Sequence, residues 1–175
     1  MARFRVHSQR GVMDPKQVEA FFFEAMCHGW ANGQAQFVTK EYDGWKEKTW
    51  VFTSSNFPNF QLIDQYRTFS NSSTSEGRKS VSFNGVPVWY MVYGGWYPKE
   101  EIRLLKSALM TAYSQNVFVG GRGVSLPPPV IGGFGYLNDW EGDFSKFHGH
   151  ESIINTVRGD EIVDNGEHHY FGGIV

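Results

Sequence analysis

Alternation of apolar and polar residues is clearest around Asn84-Gly85. Residues 80–83 alternate strictly, and residues 86–93 are rich in the β-branched and aromatic side chains typical of strands. A type I′ turn needs positive φ at both central residues, which Gly adopts freely and Asn tolerates. The pattern therefore predicts a β-hairpin that turns at Asn84-Gly85.

The second strand of this hairpin is apolar on both faces. Alternate residues point to opposite sides of a strand, and the two sets are Val88, Tyr90 and Val92, and Trp89, Met91 and Tyr93. A strand with two apolar faces is usually covered on both. We therefore expect a central strand of a sheet, with a helix packed on one face.

Two amphipathic helices are predicted. Asp14-Pro15 is a typical helix start, and the apolar stripe that follows ends at Gly29. A second helix is predicted over residues 98–113, with Pro98 in its first turn. In both helices the apolar residues recur at helical spacing and form one stripe, as in helices that pack on a sheet.

The remaining segments predict further strands and loops. Strands are expected at 49–54, 60–69, 136–140, 144–148 and 152–157, with turns at 141–143 and 158–160. Residues 161–171 predict a closing hairpin that turns at Asp164-Asn165-Gly166 and resembles the central hairpin, through either duplication or ordinary hairpin chemistry. Residues 70–79 predict a solvated loop.

Residues 114–135 show little periodicity. A loop of this length inside a compact domain is uncommon and often functional. Its apolar content favours packing across the sheet over disorder, and three consecutive prolines favour a polyproline II segment.

These elements predict one globular domain over residues 1–175 with an α+β fold. The expected architecture is a twisted, meander-like antiparallel sheet of about six to nine strands with two main helices packed on it. The similarity of the two Asn-Gly segments also allows a sheet that consists of two related halves.

Composition narrows the function classes. The net charge is −2 and the pI is about 6.3, which gives no electrostatic attraction to nucleic acid or an anionic membrane. A lone cysteine, Cys27, excludes an internal disulfide. No apolar run reaches the roughly 18 residues of a membrane span, and no secretory signal is visible. We expect a cytoplasmic protein without a nucleic-acid or membrane partner, and predict no cofactor.

Several motifs resemble a bacterial family of domains of unknown function. They are the N-G-x-P-V-W-x-M-x-Y-x-G stretch from Asn84, the helix after it, Gly121-Arg122-Gly123, and the F-x-G-x-E-x-I segment from Phe147 to Ile153. The resemblance extends from about Trp50 to the C-terminus. Some relatives are joined to helix-turn-helix regulators, which implies a sensing or interaction role. The family's earlier F-x-G-x-E-x-V segment is replaced here by a polar stretch, so paired carboxylates are not implied.

Glu151 and Arg122 form the first candidate site. Glu151 shares a strand face with Phe147 and Ile153, so an inward face would bury its carboxylate and require a partner. Arg122 is the natural partner. The pair would serve either substrate binding and acid/base chemistry, or, as we favour, a structural ion pair that holds the long loop on the sheet.

Histidines form the second candidate site. His148 and His150 share a strand face, and His168 or His169 opposite them would complete three ligands for Zn²⁺, with Glu151 or Asp143 nearby. No zinc motif supports this arrangement. We favour histidines that do not meet, and predict no metal.

Aromatic side chains form the third candidate site. A concave sheet face would present a ligand surface built from Trp89, Tyr93, Arg122, Tyr136 and Glu151. The alternative is that the aromatic residues are core.

The preferred function is a non-enzymatic binding or sensing module for a small molecule or a protein partner. The alternative is an enzyme that uses Glu151 and Arg122. A binding module predicts that these two groups saturate each other, whereas an enzyme predicts free hydrogen-bonding capacity at a cavity. A homodimer through Phe21-Phe22-Phe23 is a further hypothesis.

Overall fold

The computed structural model describes residues 13–128, 133–157 and 161–175. The helices are α1 (Pro15–Cys27) and α2 (Ile102–Ser114), and a 3₁₀ turn over Lys99–Glu101 precedes α2. The strands are β1 (Val38–Tyr42), β2 (Trp45–Phe52), β3 (Phe60–Phe69), β4 (Thr74–Phe83), β5 (Val86–Trp96), β6 (Gly133–Asp143), β7 (Lys146–Val157) and β8 (Glu161–Ile174).

All eight strands belong to one antiparallel sheet in the order β1-β2-β3-β4-β5-β8-β7-β6. Two meanders, β1–β5 and β6–β8, meet where β5 pairs with β8. Together with two helices, this sheet is the α+β fold that the sequence predicts, and its strand number lies within the predicted range.

The central hairpin is confirmed. Asn84 and Gly85 have φ values of 50° and 75°, and β5 lies inside the sheet between β4 and β8. Trp89 and Met91 are fully buried, whereas Tyr90 on the opposite face is 40% exposed. The helices thus cover one face, which we call the inner face, while the outer face around β5 meets solvent.

Helix α1 packs its aromatic stripe into the core. The side chain of Asp14 caps it by accepting from the backbone N–H of Lys16 at 2.9 Å. The ring of Phe22 packs on Trp89 at 4.9 Å between centroids, and on Tyr113 of α2 at 6.1 Å. Phe21, Phe22 and Phe23 are all buried within one chain, so the dimer hypothesis that rested on them loses its basis.

Two predictions, one of a loop and one of a hairpin, are wrong. Residues 74–79 are not a loop but the first part of β4, because they pair with β3 on one side and β5 on the other. Residues 161–174 do not form a hairpin but a single strand along β7. The register shifts so that Ile153 pairs with Gly166 and Ile154 with Asp164. Asn165 is therefore the extra residue of a β-bulge.

A third correction concerns the hairpin between β6 and β7. It turns at Phe144-Ser145 rather than at 141–143. Phe144 is buried and stacks on Trp89 with ring centroids 5.2 Å apart, and the Asp143 side chain accepts from the backbone N–H of Ser145 at 2.8 Å. The second helix begins later than predicted, at Ile102, since a 3₁₀ turn occupies 99–101. The predicted turn at 158–160 and the last residue of the proline run lie outside the described residues.

Within the part of the chain that the structure describes, neither helix is long and apolar enough to cross a membrane.

Candidate functional site

A cavity of about 440 Å³ lies between the two helices and the inner face of the sheet. Its apolar wall consists of side chains on or next to the helices: Met26, Trp30, Ala31, Ile102, Leu105 and Leu109. The loop of residues 70–73 and the start of β4 border it on another side. The volume is in the range of small-molecule sites.

The sheet side of the cavity is aromatic and charged. Its tyrosines are Tyr66, Tyr93, Tyr97 and Tyr113, the last contributed by α2. Its buried polar and charged side chains are Asp64, Lys79, Arg122 and His168. Such groups are rare in a protein interior unless they are paired. The hydrogen-bond or ion-pair partner of each one therefore determines what the site can bind.

Arg122 reaches this wall because the loop before it is pressed against α2. Gly120 and Gly121 adopt φ values of 68° and 71°. A Cβ at Gly123 would stand 2.7 Å from the Cβ of Ala108, so only glycine allows this approach. Further along the loop, the Leu126 backbone N–H donates to the Tyr136 carbonyl at 2.7 Å. The described part of the loop therefore packs against the sheet, as predicted, whereas residues 133–135 belong to β6 and not to the loop.

Glu151 is completely buried on β7, and three side chains donate hydrogen bonds to its carboxylate. Its Oε1 accepts from the Arg122 guanidinium and, at 2.5 Å, from the Tyr97 hydroxyl. Its Oε2 accepts from the Tyr136 hydroxyl, which itself accepts from the Gly123 backbone N–H at 3.2 Å. Burial alone would raise the pKa of Glu151, but Arg122 and these hydrogen bonds hold it below its usual value. The predicted Arg122–Glu151 pair is thus present.

A second ion pair, which the sequence did not reveal, joins Lys79 to Asp64. The two residues are cross-strand partners on β4 and β3. Asp64 also accepts from the Tyr93 hydroxyl at 3.0 Å, and the Lys79 ammonium lies 5.0 Å from the centre of the Tyr93 ring. Burial lowers the pKa of Lys79, and the attraction of Asp64 offsets this only in part.

His168 completes the cluster as a neutral imidazole. Burial, followed by the nearby Arg122 charge, lowers its pKa to about 3. Its ring stacks on Tyr97 with centroids 4.3 Å apart, and its Nε2 lies 3.2 Å from the Ser75 hydroxyl. Its Nδ1 is 4.0 Å from the Glu151 carboxylate, too far for a hydrogen bond.

Two buried nitrogen atoms of this cluster have no hydrogen-bond partner among the described residues. They are Nε of Arg122 and Nδ1 of His168, and both residues line the cavity. A buried polar group without a partner is unusual and costs about 1–3 kcal/mol. The cluster therefore retains two hydrogen-bonding groups that the described residues do not satisfy.

The predicted ligand-binding residues separate into three groups. Tyr93 and Arg122 line the cavity, while Tyr136 and Glu151 lie behind Arg122 in the hydrogen-bonded cluster. Trp89 lies in the core, where its indole N–H donates to the Phe144 carbonyl at 3.1 Å.

Of the predicted zinc ligands, His150 and His169 come together, whereas His148 and His168 lie outside their group. His148 and His150 lie on the outer face, where His150 is the cross-strand partner of His169, whereas His168 is buried on the inner face.

Sequence reasoning missed Asp64, Lys79 and Tyr97. A signal existed for the first two, because they occupy the same strand faces as the buried residues Leu62 and Val81. A charged residue that alternates with apolar residues on the same face of a strand indicates a buried polar group.

The chain belongs to the DUF5680 family, described as a domain of unknown function, whose match covers residues 64–175. This confirms the resemblance to a family of that kind. The match starts at Asp64 and contains the whole polar cluster, while α1 precedes it. No curated protein and no solved structure matches the chain.

Proposed function

We propose that this member of the DUF5680 family is a binding module for an uncharged small molecule with an apolar body and a hydrogen-bond-accepting group. The molecule occupies the cavity between α1, α2 and the inner face of the sheet. The observation that carries the proposal is that two residues lining a cavity of small-molecule size, Arg122 and His168, each contain a buried nitrogen atom without a hydrogen-bond partner among the described residues.

The walls favour an apolar and partly flat ligand body. The helices contribute aliphatic side chains such as Leu105 and Leu109 together with the indole of Trp30, and the sheet contributes the rings of Tyr66 and Tyr93. Burying apolar ligand surface against such walls is favourable by roughly 25 cal/mol per Å². Polar specificity then comes from a few groups at the charged side.

That charged side favours a hydrogen-bond acceptor. Nε of Arg122 always carries a hydrogen. His168 is neutral, so one of its ring nitrogens carries a hydrogen; when Ser75 donates to Nε2, that hydrogen is on Nδ1. A carbonyl or ether oxygen that reaches either group would accept from its N–H.

The charge balance favours an uncharged molecule. Arg122 is paired with Glu151, and Lys79 with Asp64. The four buried charges therefore cancel, and a charged ligand group placed at this buried wall would gain no unpaired counter-charge there, which is costly. The other two cations that line the cavity, Lys48 and Lys99, are half-buried and exposed, so water screens their charge.

Saturation of Glu151 supports a binding module over an enzyme. Both carboxylate oxygens already accept from Arg122, Tyr97 or Tyr136, and its lowered pKa keeps it ionised near neutral pH. A general acid must carry a proton and a general base must have a free lone pair directed at the substrate. The near-neutral charge and single cysteine favour a cytoplasmic setting for this module.

Fluorescence titration with prodan, an uncharged naphthalene ketone, tests the proposal. Prodan has a flat apolar body and a carbonyl acceptor, and its emission moves to shorter wavelength in apolar surroundings. We expect saturable binding with such a shift, and weaker binding of anilinonaphthalene sulfonate, a related dye that carries a negative charge.

A matched pair of variants locates the binding. Ala31→Trp places an indole in the cavity and should abolish prodan binding, while Val51→Trp adds the same side chain at an exposed position of β2 and should leave it unchanged. If Ala31→Trp lowers stability, Ile102→Trp fills the cavity from the other helix. No saturable prodan binding, or binding unaffected by the cavity variants, would contradict the cavity site. Tighter binding of the sulfonate would contradict the uncharged ligand class.

A further inference from the structure

We infer a binding site for a divalent transition-metal ion of the zinc type on the outer face of the sheet, formed by His150, Glu167 and His169. His150 on β7 and His169 on β8 are direct cross-strand partners. Glu167 lies two residues before His169, and therefore on the same face of β8. The site keeps His150 and His169 from the predicted histidines, leaves out His148 and His168, and has Glu167 as its carboxylate in place of Glu151 or Asp143.

The three side chains already converge on a small volume. Nε2 of His150 lies 3.5 Å from Oε2 of Glu167, and Nε2 of His169 lies 4.0 Å from the same oxygen. All three potential ligand atoms lie within 4.8 Å of one another. In a tetrahedral zinc site with bonds of about 2.0–2.1 Å, ligand atoms stand roughly 3.4 Å apart. Small side-chain rotations would therefore bring these atoms onto one ion.

The ligand chemistry selects the class of metal. Two imidazoles and one carboxylate suit zinc and neighbouring transition metals, whereas Mg²⁺ and Ca²⁺ prefer oxygen ligands throughout. Three protein ligands leave a fourth tetrahedral position for water.

The surroundings leave that fourth position accessible. The three side chains are half-exposed to largely exposed, and the cross-strand neighbour of His169 on β5 is Gly94, which has no side chain to cover it. No thiol is required, and Cys27 lies at the end of α1 on the other face.

Strand alternation puts this site directly behind the buried cluster. His150 precedes Glu151, and His168 stands between Glu167 and His169 in the chain. An ion that links β7 to β8 on the outer face would therefore fix the two strands that position Glu151 and His168 on the inner face.

Calorimetric titration of the full chain with zinc chloride, after removal of any affinity tag and of trace metal, tests the site. We expect one zinc ion per chain. His150→Ala and His169→Ala should each weaken binding by more than about tenfold, because each removes a ligand. His148→Ala is the matched control, since it removes an exposed histidine of the same strand outside the cluster, and it should leave binding unchanged.

Two further measurements keep the test decisive. Glu167→Gln keeps the shape of the side chain but removes its charge, and it should also weaken zinc binding. It replaces the histidine variants as the test if those variants alter folding. Cobalt substitution should give a spectrum without thiolate charge-transfer bands. Absence of stoichiometric zinc binding, equal binding by the wild type and the His150 and His169 variants, or thiolate bands in the cobalt spectrum would overturn the site.

Discussion

Two buried ion pairs share the inner face of the sheet, and they are built differently. Arg122 and Lys79 both lie over the ring of Tyr93, at 5.3 and 5.0 Å from its centre. Glu151, the partner of Arg122, receives two further hydrogen bonds from tyrosine hydroxyls, whereas Asp64, the partner of Lys79, receives one.

The protonation behaviour of the two cations differs as well. Burial works against the charge of Arg122, but Glu151 outweighs this effect and raises its pKa. For Lys79 burial prevails and lowers the pKa. An arginine keeps its charge in proteins, while a buried lysine can lose it. We therefore interpret Arg122–Glu151 as the pair that holds the loop on the sheet, and Lys79–Asp64 as the pair that can adjust to a ligand.

Breaking the first pair should have the largest effect. Arg122→Leu leaves the fully buried Glu151 without its cation, and we expect a loss of about 3–5 kcal/mol in the free energy of unfolding, measured with urea. Adding Glu151→Gln should recover part of the loss, because Gln carries no charge, and its oxygen can accept from one tyrosine hydroxyl while its NH2 group donates to the other. A loss below about 1 kcal/mol, or no recovery in the double variant, would contradict a central role for this pair.

Breaking the second pair should cost less. Lys79→Met removes the ammonium, but Asp64 retains its hydrogen bond from the Tyr93 hydroxyl. We expect a loss of about 2–3 kcal/mol in the same urea experiment. Lys79→Met/Asp64→Asn removes both charges and is the control for the unpaired carboxylate. If Lys79→Met proved more damaging than Arg122→Leu, the assignment of the two roles would be reversed.

The pH dependence of the free energy of unfolding should report on His168, which lies beside the Arg122–Glu151 pair. Its pKa falls to about 3 in the folded protein, mainly through burial, while an unfolded histidine titrates near pH 6.5. Below that pH the unfolded state binds a proton that the folded state excludes, so stability must decrease as the pH falls. We expect a loss of about 2 kcal/mol between about pH 7 and pH 5.

Variants assign this loss to its source. His168→Gln should remove the decrease, and His148→Gln, at an exposed position, should retain it. The lowered pKa of Glu151 acts in the same direction but only nearer the usual carboxyl range, below about pH 4.3. A wild type with constant stability over this range, or a His168→Gln variant with an unchanged slope, would contradict a buried neutral histidine.

The contrast between the two pairs also separates what local patterns predict from what they do not. Glu151 and Arg122 were predictable because an F-x-G-x-E-x-I strand places the carboxylate among apolar residues, and a glycine-rich loop offers one arginine. Lys79 escaped prediction because residues 70–79 are polar enough to resemble a loop. His150 and His169 were among the predicted zinc ligands, but Glu167 was not, because local sequence does not specify the register that places β8 beside β7.

Periodicity and turn chemistry alone were enough to predict the central hairpin, both helices, the α+β class and the buried carboxylate of Glu151. Each depends on interactions between residues close in the chain. Tertiary pairing decided the rest: residues 74–79 became strand because β3 and β5 satisfy their backbone groups on both sides. Asp164-Asn165-Gly166 became a bulge because β7 continues alongside. A backbone hydrogen bond formed with a distant strand outweighs a local turn preference, and such partners are not visible in a single segment of sequence.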